Sequence, residues 1–369
     1  MRGLAAPAAL ALLACLPASA GILVDDFGST RGGQHVERVT LENQRGMRFS
    51  CIDYGATITA IVLRGGDGRR RNIVLGLPSL AAYEASTRRY GAVMGRYAGR
   101  IGQARFTLDG KTVALVANAK GSALHGDPDG YDRRVWQRRE FADADAIGVV
   151  YRLLSADGDQ HFPGQVAVSV TYRLLRRRNE LQIAYAASSD APTVINLTNH
   201  AYFNLAGVAS GSLATHRFRI RAARYARTDA LRVPDGVLAP VAGTALDFRR
   251  GAALLPRLRA SALLGDPPGI DHSLLFADHR GALTLVAQID ESTSGHRMQV
   301  RTTEPSVQFN SGNGFDGSEV GAEGLAYPRH AGFAFETQHL PDSPNHPNFP
   351  STRLAPGRPF HSLTTFRFE

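Results

Sequence analysis

The chain of 369 residues is 43% hydrophobic and 20% charged, an ordinary globular balance that excludes disordered, collagen-like and coiled-coil classes. The formal net charge of +9 raises the question of a nucleic-acid partner, but Lys occurs only at Lys111 and Lys120 and the remaining basic residues are Arg. No aromatics interleave with them as a single-strand binder requires, so no nucleic acid is expected, and beyond the N-terminus no uninterrupted apolar stretch is long enough to span a bilayer.

The N-terminus carries Arg2, an apolar Ala/Leu run over 4–16 and then Ala18, Ser19 and Ala20, the layout of a secretory signal cleaved after Ala20. Residues 1–20 are therefore expected to be a signal peptide and 21–369 an exported domain, periplasmic or secreted. Lipid anchoring at Cys15, preceded by Leu12, Leu13 and Ala14, is the alternative. Cleavage leaves Cys51 alone, which excludes an intrachain disulfide, and the alternation of Met47, Phe49 and Cys51 with polar neighbours makes Cys51 a buried residue on a strand face.

Period-2 patterning then dominates, over 36–41, 47–53, 57–63, 113–116, 149–154, 166–174, 181–187 and 194–197. Turn chemistry separates these strands: the glycine-rich stretch 65–68, Asp109 and Gly110, and Pro234 through Gly236. The Arg runs 69–71 and 176–178 read as solvated hairpin turns. Helical patterning is confined to 80–86 and 252–255. With no internal repeat and no linker, the expected class is all-β, one large antiparallel β-sandwich, with a two-domain all-β arrangement as the alternative.

No HExxH, CxxC, Walker loop or GxSxG occurs, which removes the usual signatures of zinc and serine hydrolysis. His125, His200, His272 and His330 are too widely spaced to argue a metal site. More telling are polar residues set in apolar, strand-like surroundings. His200 follows Thr198 and Asn199 and precedes an aromatic-rich segment, where it is able to donate a proton near neutral pH. In the stretch 332–338, alternation places Gly332, Ala334 and Glu336 on one face, so a carboxylate rises from a floor of small residues and its pKa is raised as a base requires. Arg96, Arg100, His125, Asp271 and Gln308 complete a set of charges and amides of the kind that recognises sugar hydroxyls. A structural role for each remains the competing reading.

At these residues the sequence resembles the aldose 1-epimerases, or galactose mutarotases. The resemblance runs from about Asp53 to the C-terminus through GRYAGRI (95–101), LHG (124–126), TNHAYFNLAG (198–207), IDHSLLF (270–276), VQFNSGN (307–313), YPRHAGFAFETQHLPDSPNHPNFP (327–350) and LAPG (354–357). It implies the mutarotase-like supersandwich fold, no cofactor and no metal, and a free aldose as substrate. It also implies roles: His200 as general acid to the ring oxygen, Glu336 as general base to the C1 hydroxyl on the opposite side of the ring, and His125 assisting. Arg100, Asp271 and Gln308 would hold the sugar. Gly99 departs from the family pattern, which often has Asn before this Arg, leaving the preferred aldose open. Epimerisation of a phosphorylated hexose and sugar binding without turnover are the alternative functions.

Overall fold

The computed structural model describes residues 21–369 except 127, 259–261, 265–267 and 277–280, so the expected signal peptide, residues 1–20, and Cys15 lie outside the described residues. Three antiparallel sheets build most of it. A five-stranded meander runs in chain order through Gly21–Ser29, His35–Glu42, Arg48–Ile52, Thr57–Arg64 and Arg70–Asn72. In the nine-stranded sheet, four sequential strands from Gln137–Ala142 to Glu180–Ser189 are joined to three later ones by the C-terminal strand Phe360–Phe368, with Ala252–Ala253 closing the far edge. A six-stranded sheet runs Tyr202–Phe203, Phe333–Gln338, Ser306–Asn310, Asp271–Phe276, Ala222–Thr228 and Pro234–Pro240.

Strict alternation explains the sandwich. In Val166–Leu175 the side chains of Val166, Val168, Val170, Tyr172 and Leu174 are buried. They join one apolar cluster that includes Phe49 of the meander, Phe218 and Phe366 of the nine-stranded sheet, and Phe309 and Phe333 of the six-stranded sheet. Phe218 meets Phe333 edge-on at 4.8 Å, a contact that links the two larger sheets. Each such aromatic stabilises the fold by about 1.5–3 kcal/mol through burial. Cys51 is fully buried, as the alternation required.

Several boundaries differ from the sequence expectation. The strand expected at 113–116 is Lys111–Ala114, paired with Arg105–Leu108 around Asp109 and Gly110. That at 194–197 shrinks to Thr193–Val194, because Asn196 turns its amide to the carbonyls of Ala98 (2.9 Å) and His339 (3.2 Å) and ties two loops together. The helix at 252–255 is displaced to Leu254–Leu258. Arg70 and Arg71 lie in an edge strand, not in the turn, whereas 176–178 do form a turn. Much of the basic charge sits elsewhere: Arg152, Arg217, Arg219, Arg297, Arg301 and Arg367 are exposed on the outward face of the nine-stranded sheet, alternating with buried residues.

Candidate active site

The six-stranded sheet supplies the floor of a cleft of about 550 Å³, a size suited to a small ligand. Register sets its chemistry. Glu336 pairs with Gln308 and Gln308 with Ser273, giving one lateral row, while Ala334, Asn310 and Asp271 form the next. Because alternate residues share a face, the carboxylate of Glu336, the amide of Gln308 and the carboxylate of Asp271 open into the same space. Six of the seven residues nominated from the sequence, Arg100, His125, His200, Asp271, Gln308 and Glu336, line this cleft, and Arg96 does not. A second depression of about 610 Å³ lies on the outer face of the nine-stranded sheet near Arg152 and Leu154; its lining includes no His, Asp or Glu.

His200 is positioned by backbone clamps: its N–H donates to Ala92 O (2.9 Å) and its carbonyl accepts from Gly91 N (3.0 Å). The Asn199 amide donates to Gly91 O at 2.6 Å. Gly91 is required there, since it has φ +67° and a Cβ would stand 1.9 Å from Ile58 O. His200 packs at 5.0 Å against the Tyr202 ring and at 5.7 Å against His125, and its Nε2 lies 3.5 Å from Glu336 Oε1. The acid and base candidates are thus neighbours on one wall, not opposed across the cleft. That suits the chemistry, because O1 and the ring oxygen of a pyranose are bonded to the same carbon.

Burial, reinforced by the cation Arg89, lowers the His200 pKa to about 4. Burial, reinforced by Asp271, raises Glu336 well above the usual carboxylate range against the opposing pull of Arg89 and Arg100. Both shifts favour neutral side chains, so burial favours the uncharged pair, with the shared proton on Glu336, over the ion pair with that proton on His200. His200 Nδ1 and Glu336 Oε2 are buried without a hydrogen-bond partner in the protein.

His125 Nδ1 accepts a hydrogen bond from Gly99 N at 3.2 Å. A backbone N–H can only donate, so Nε2 of neutral His125 carries the proton and is a donor. Burial, with Arg89, His200 and Arg100 adding to it, keeps the ring uncharged well below its ordinary pKa. Asp271 is pushed up by burial but held low overall by Arg232, Gln308 and Arg100. It pairs with Arg232 Nη1 and accepts from Gln308 Nε2 at 2.7 Å, while Gln308 Oε1 accepts from Ser273 Oγ. Gln308 therefore orients Asp271. Arg100 has its Nε buried without a partner, and burial lowers its pKa while leaving it cationic.

His125, His200 and Glu336 offer potential ligand atoms within 4.8 Å of one another. The tautomer imposed by Gly99 conflicts with a metal there, since Nδ1 of His125 already accepts the Gly99 N–H and Nε2 bears the proton. Among the described residues no helix is long and apolar enough to cross a membrane.

Arg96, grouped with Arg100 in the sequence, belongs to the scaffold. It is fully buried and donates to Ser155 Oγ (2.7 Å), Gly164 O (2.9 Å), Pro163 O (3.0 Å) and Ala156 O (3.1 Å). Sequence reasoning missed Arg89, Tyr202, Arg232, Ser273 and Gln338, which also line the cleft. For Gln338 and Ser273 the signal was present, each being two residues beyond a nominated residue on the same strand face. For Arg89 and Arg232 it was not, since both lie in loops at positive φ.

Comparison with known proteins places this architecture. The sequence model of the aldose 1-epimerase family matches residues 37–367. Galactose mutarotase of Homo sapiens is 38% identical over 338 residues, covering 92% of this chain and 95% of that one. Aldose 1-epimerase of Escherichia coli K12 is 37% identical over 339 residues, 91% of this chain and 96% of that protein. Among solved structures, galactose 1-epimerase from Lactobacillus acidophilus NCFM superposes with a TM-score of 0.83 at 27% identity, covering 95% of this chain and 99% of that one.

Proposed function

The chain belongs to the aldose 1-epimerase family, and from that premise we propose how this molecule, an isomerase interconverting the α and β anomers of free aldoses such as galactose and glucose, performs the reaction. The observation that carries the proposal is the buried His200–Glu336 pair, 3.5 Å apart at the base of the cleft.

Opening a pyranose hemiacetal moves one proton off O1 and one onto the ring oxygen. A pair that holds a single proton can do both. With the proton on His200, the Glu336 carboxylate takes the proton of the C1 hydroxyl while His200 protonates the ring oxygen; the C1–ring oxygen bond breaks and C1=O1 forms. The two forms of the pair have the same proton count, so reaching the reactive one needs no proton from solvent. Arg89 and Arg100 favour the carboxylate form. After rotation about C1–C2, the C5 hydroxyl attacks the other face of the aldehyde, His200 takes back that proton and Glu336 returns one to O1. His125, as an Nε2–H donor, stabilises negative charge developing on a sugar oxygen, and Asp271, held by Gln308 and Arg232, accepts from hydroxyls.

The test is polarimetric: the protein accelerates α-galactose mutarotation, and Glu336→Gln abolishes that acceleration while the protein stays folded. A wild-type rate in that variant overturns the assignment of the base. For the N-terminus the reading is export, periplasmic or secreted, with cleavage after Ala20. It rests on the sequence pattern of residues 1–20 alone, and N-terminal sequencing of the mature protein checks it.

A further inference from the structure

The strand that carries Glu336 continues two residues to Gln338, whose side chain emerges on the same face about 7 Å further along. Gln338 lines the cleft, is only 1% exposed, and both amide atoms lack a hydrogen-bond partner in the protein. Each of the other amides of the cleft has at least one partner in the protein. Gln308 is held by Asp271 and Ser273, Asn310 Oδ1 accepts from Gly312 N, and Asn313 donates to Ile270 O and accepts from Ser311 Oγ. A buried amide with neither atom satisfied is costly and calls for an explanation.

The wall beside it is also distinctive. Gly99 sits at φ +84°, and a Cβ there would stand 3.3 Å from Gln338 Nε2 and 3.1 Å from Pro341 Cβ and Cγ. The backbone of 99 thus comes close to the amide, and no side chain from this position covers it.

Resting on the mutarotase reading, we infer that Gln338 is a substrate-binding and specificity residue: its Nε2 donates to one sugar hydroxyl and its Oε1 accepts from the neighbouring one. The ligand class is an aldose with an intact vicinal diol at that end of the ring, and a sugar deoxygenated there is discriminated against. The amide is neutral and moves no proton in the reaction. Its contribution is uniform binding, which appears in KM more than in kcat.

The experiment compares wild type with Gln338→Met on α-galactose and on its 2-, 3-, 4- and 6-deoxy analogues by polarimetry. The expected result is a fall in kcat/KM on galactose of about 3- to 10-fold for each hydroxyl released, carried by KM. The penalty that wild type shows on one or two deoxy analogues disappears in the variant, as in a double-mutant cycle. Wild-type kcat/KM in Gln338→Met, or an equal fall on galactose and every analogue, overturns the inference, the second result being that of a structural residue. Should Gln338→Met not fold, Gly99→Asn decides: its amide reaches Gln338 and should shrink the same deoxy penalties, and unchanged penalties overturn the inference. If wild type itself fails to accelerate mutarotation, the mutarotase reading falls. Calorimetric titration of the same sugars then decides the Gln338 contact, equal affinity for galactose and all analogues counting against it.

Discussion

Replacing Glu336 by Gln should make the protein inactive and more stable, and the two effects share one cause. Glu336 is 2% exposed, and its Oε2 has no partner. Burial, with Asp271 adding to it, raises its pKa in the folded protein well above the ordinary 4.5. Between pH 4.5 and that raised value the unfolded chain has released the proton while the folded chain retains it. The unfolded state binds fewer protons there, so this group's contribution to stability is present below about pH 4.5 and is lost as pH rises. Gln has the same shape and no proton to lose. In urea unfolding at pH 8 the variant should be more stable than wild type, by about 1.4 kcal/mol for each pH unit between 4.5 and the raised Glu336 pKa, and the gap should close towards pH 4.5. Polarimetry on the same preparation should show kcat lowered by about 10²–10⁴-fold, the value of a positioned proton transfer. A variant less stable than wild type at pH 8, or a stability difference independent of pH, refutes the burial argument. Retained activity refutes the role.

His200→Asn should lower kcat by about 10²–10⁴-fold with KM changed only a few-fold; a large change in KM alone would make His200 a recognition residue. Because burial, with Arg89 assisting, holds the His200 pKa near 4 when folded, against 6.5 when unfolded, stability should decline as pH falls from 6.5 towards 4, and His200→Asn should flatten that slope in urea midpoints. The Gly99 hydrogen bond predicts that ¹⁵N NMR finds His125 as the Nε2–H tautomer, without titration between pH 6 and 8, and that micromolar Zn²⁺ leaves the rate unchanged; tight competitive zinc inhibition contradicts the tautomer. Arg96→Met should destabilise the fold by more than about 3 kcal/mol, because several buried acceptors lose their donor, measured by denaturant unfolding.

What the sequence determined by itself was local and periodic. Two-residue alternation assigned the long strands such as Val166–Leu175 and buried Cys51, because a strand sends successive side chains to opposite faces whatever its neighbours are. The same rule brought Glu336 out of a floor of small residues. The motif resemblance added the roles of His200 and Glu336 and the sugar-binding set, and the structure gathers those residues into one cleft.

Tertiary structure decided what depends on residues distant in the chain. Arg96 and Arg100 lie four positions apart in one motif, yet one is wrapped by the carbonyls of 156–164 and the other faces the cleft. Strand register across three segments turned Gln308 into the orienting partner of Asp271, and the approach of the Gly99 backbone fixed the His125 tautomer. Arg89 and Arg232 reach the cleft from loops at positive φ, for which no periodicity exists. The charge of +9 was legible as a number, but its placement was not. The alternation that buries Phe218, Met298 and Phe366 sends Arg217, Arg219, Arg297 and Arg367 to the outer face of one sheet, and only the pairing of those strands shows that the exposed faces coincide.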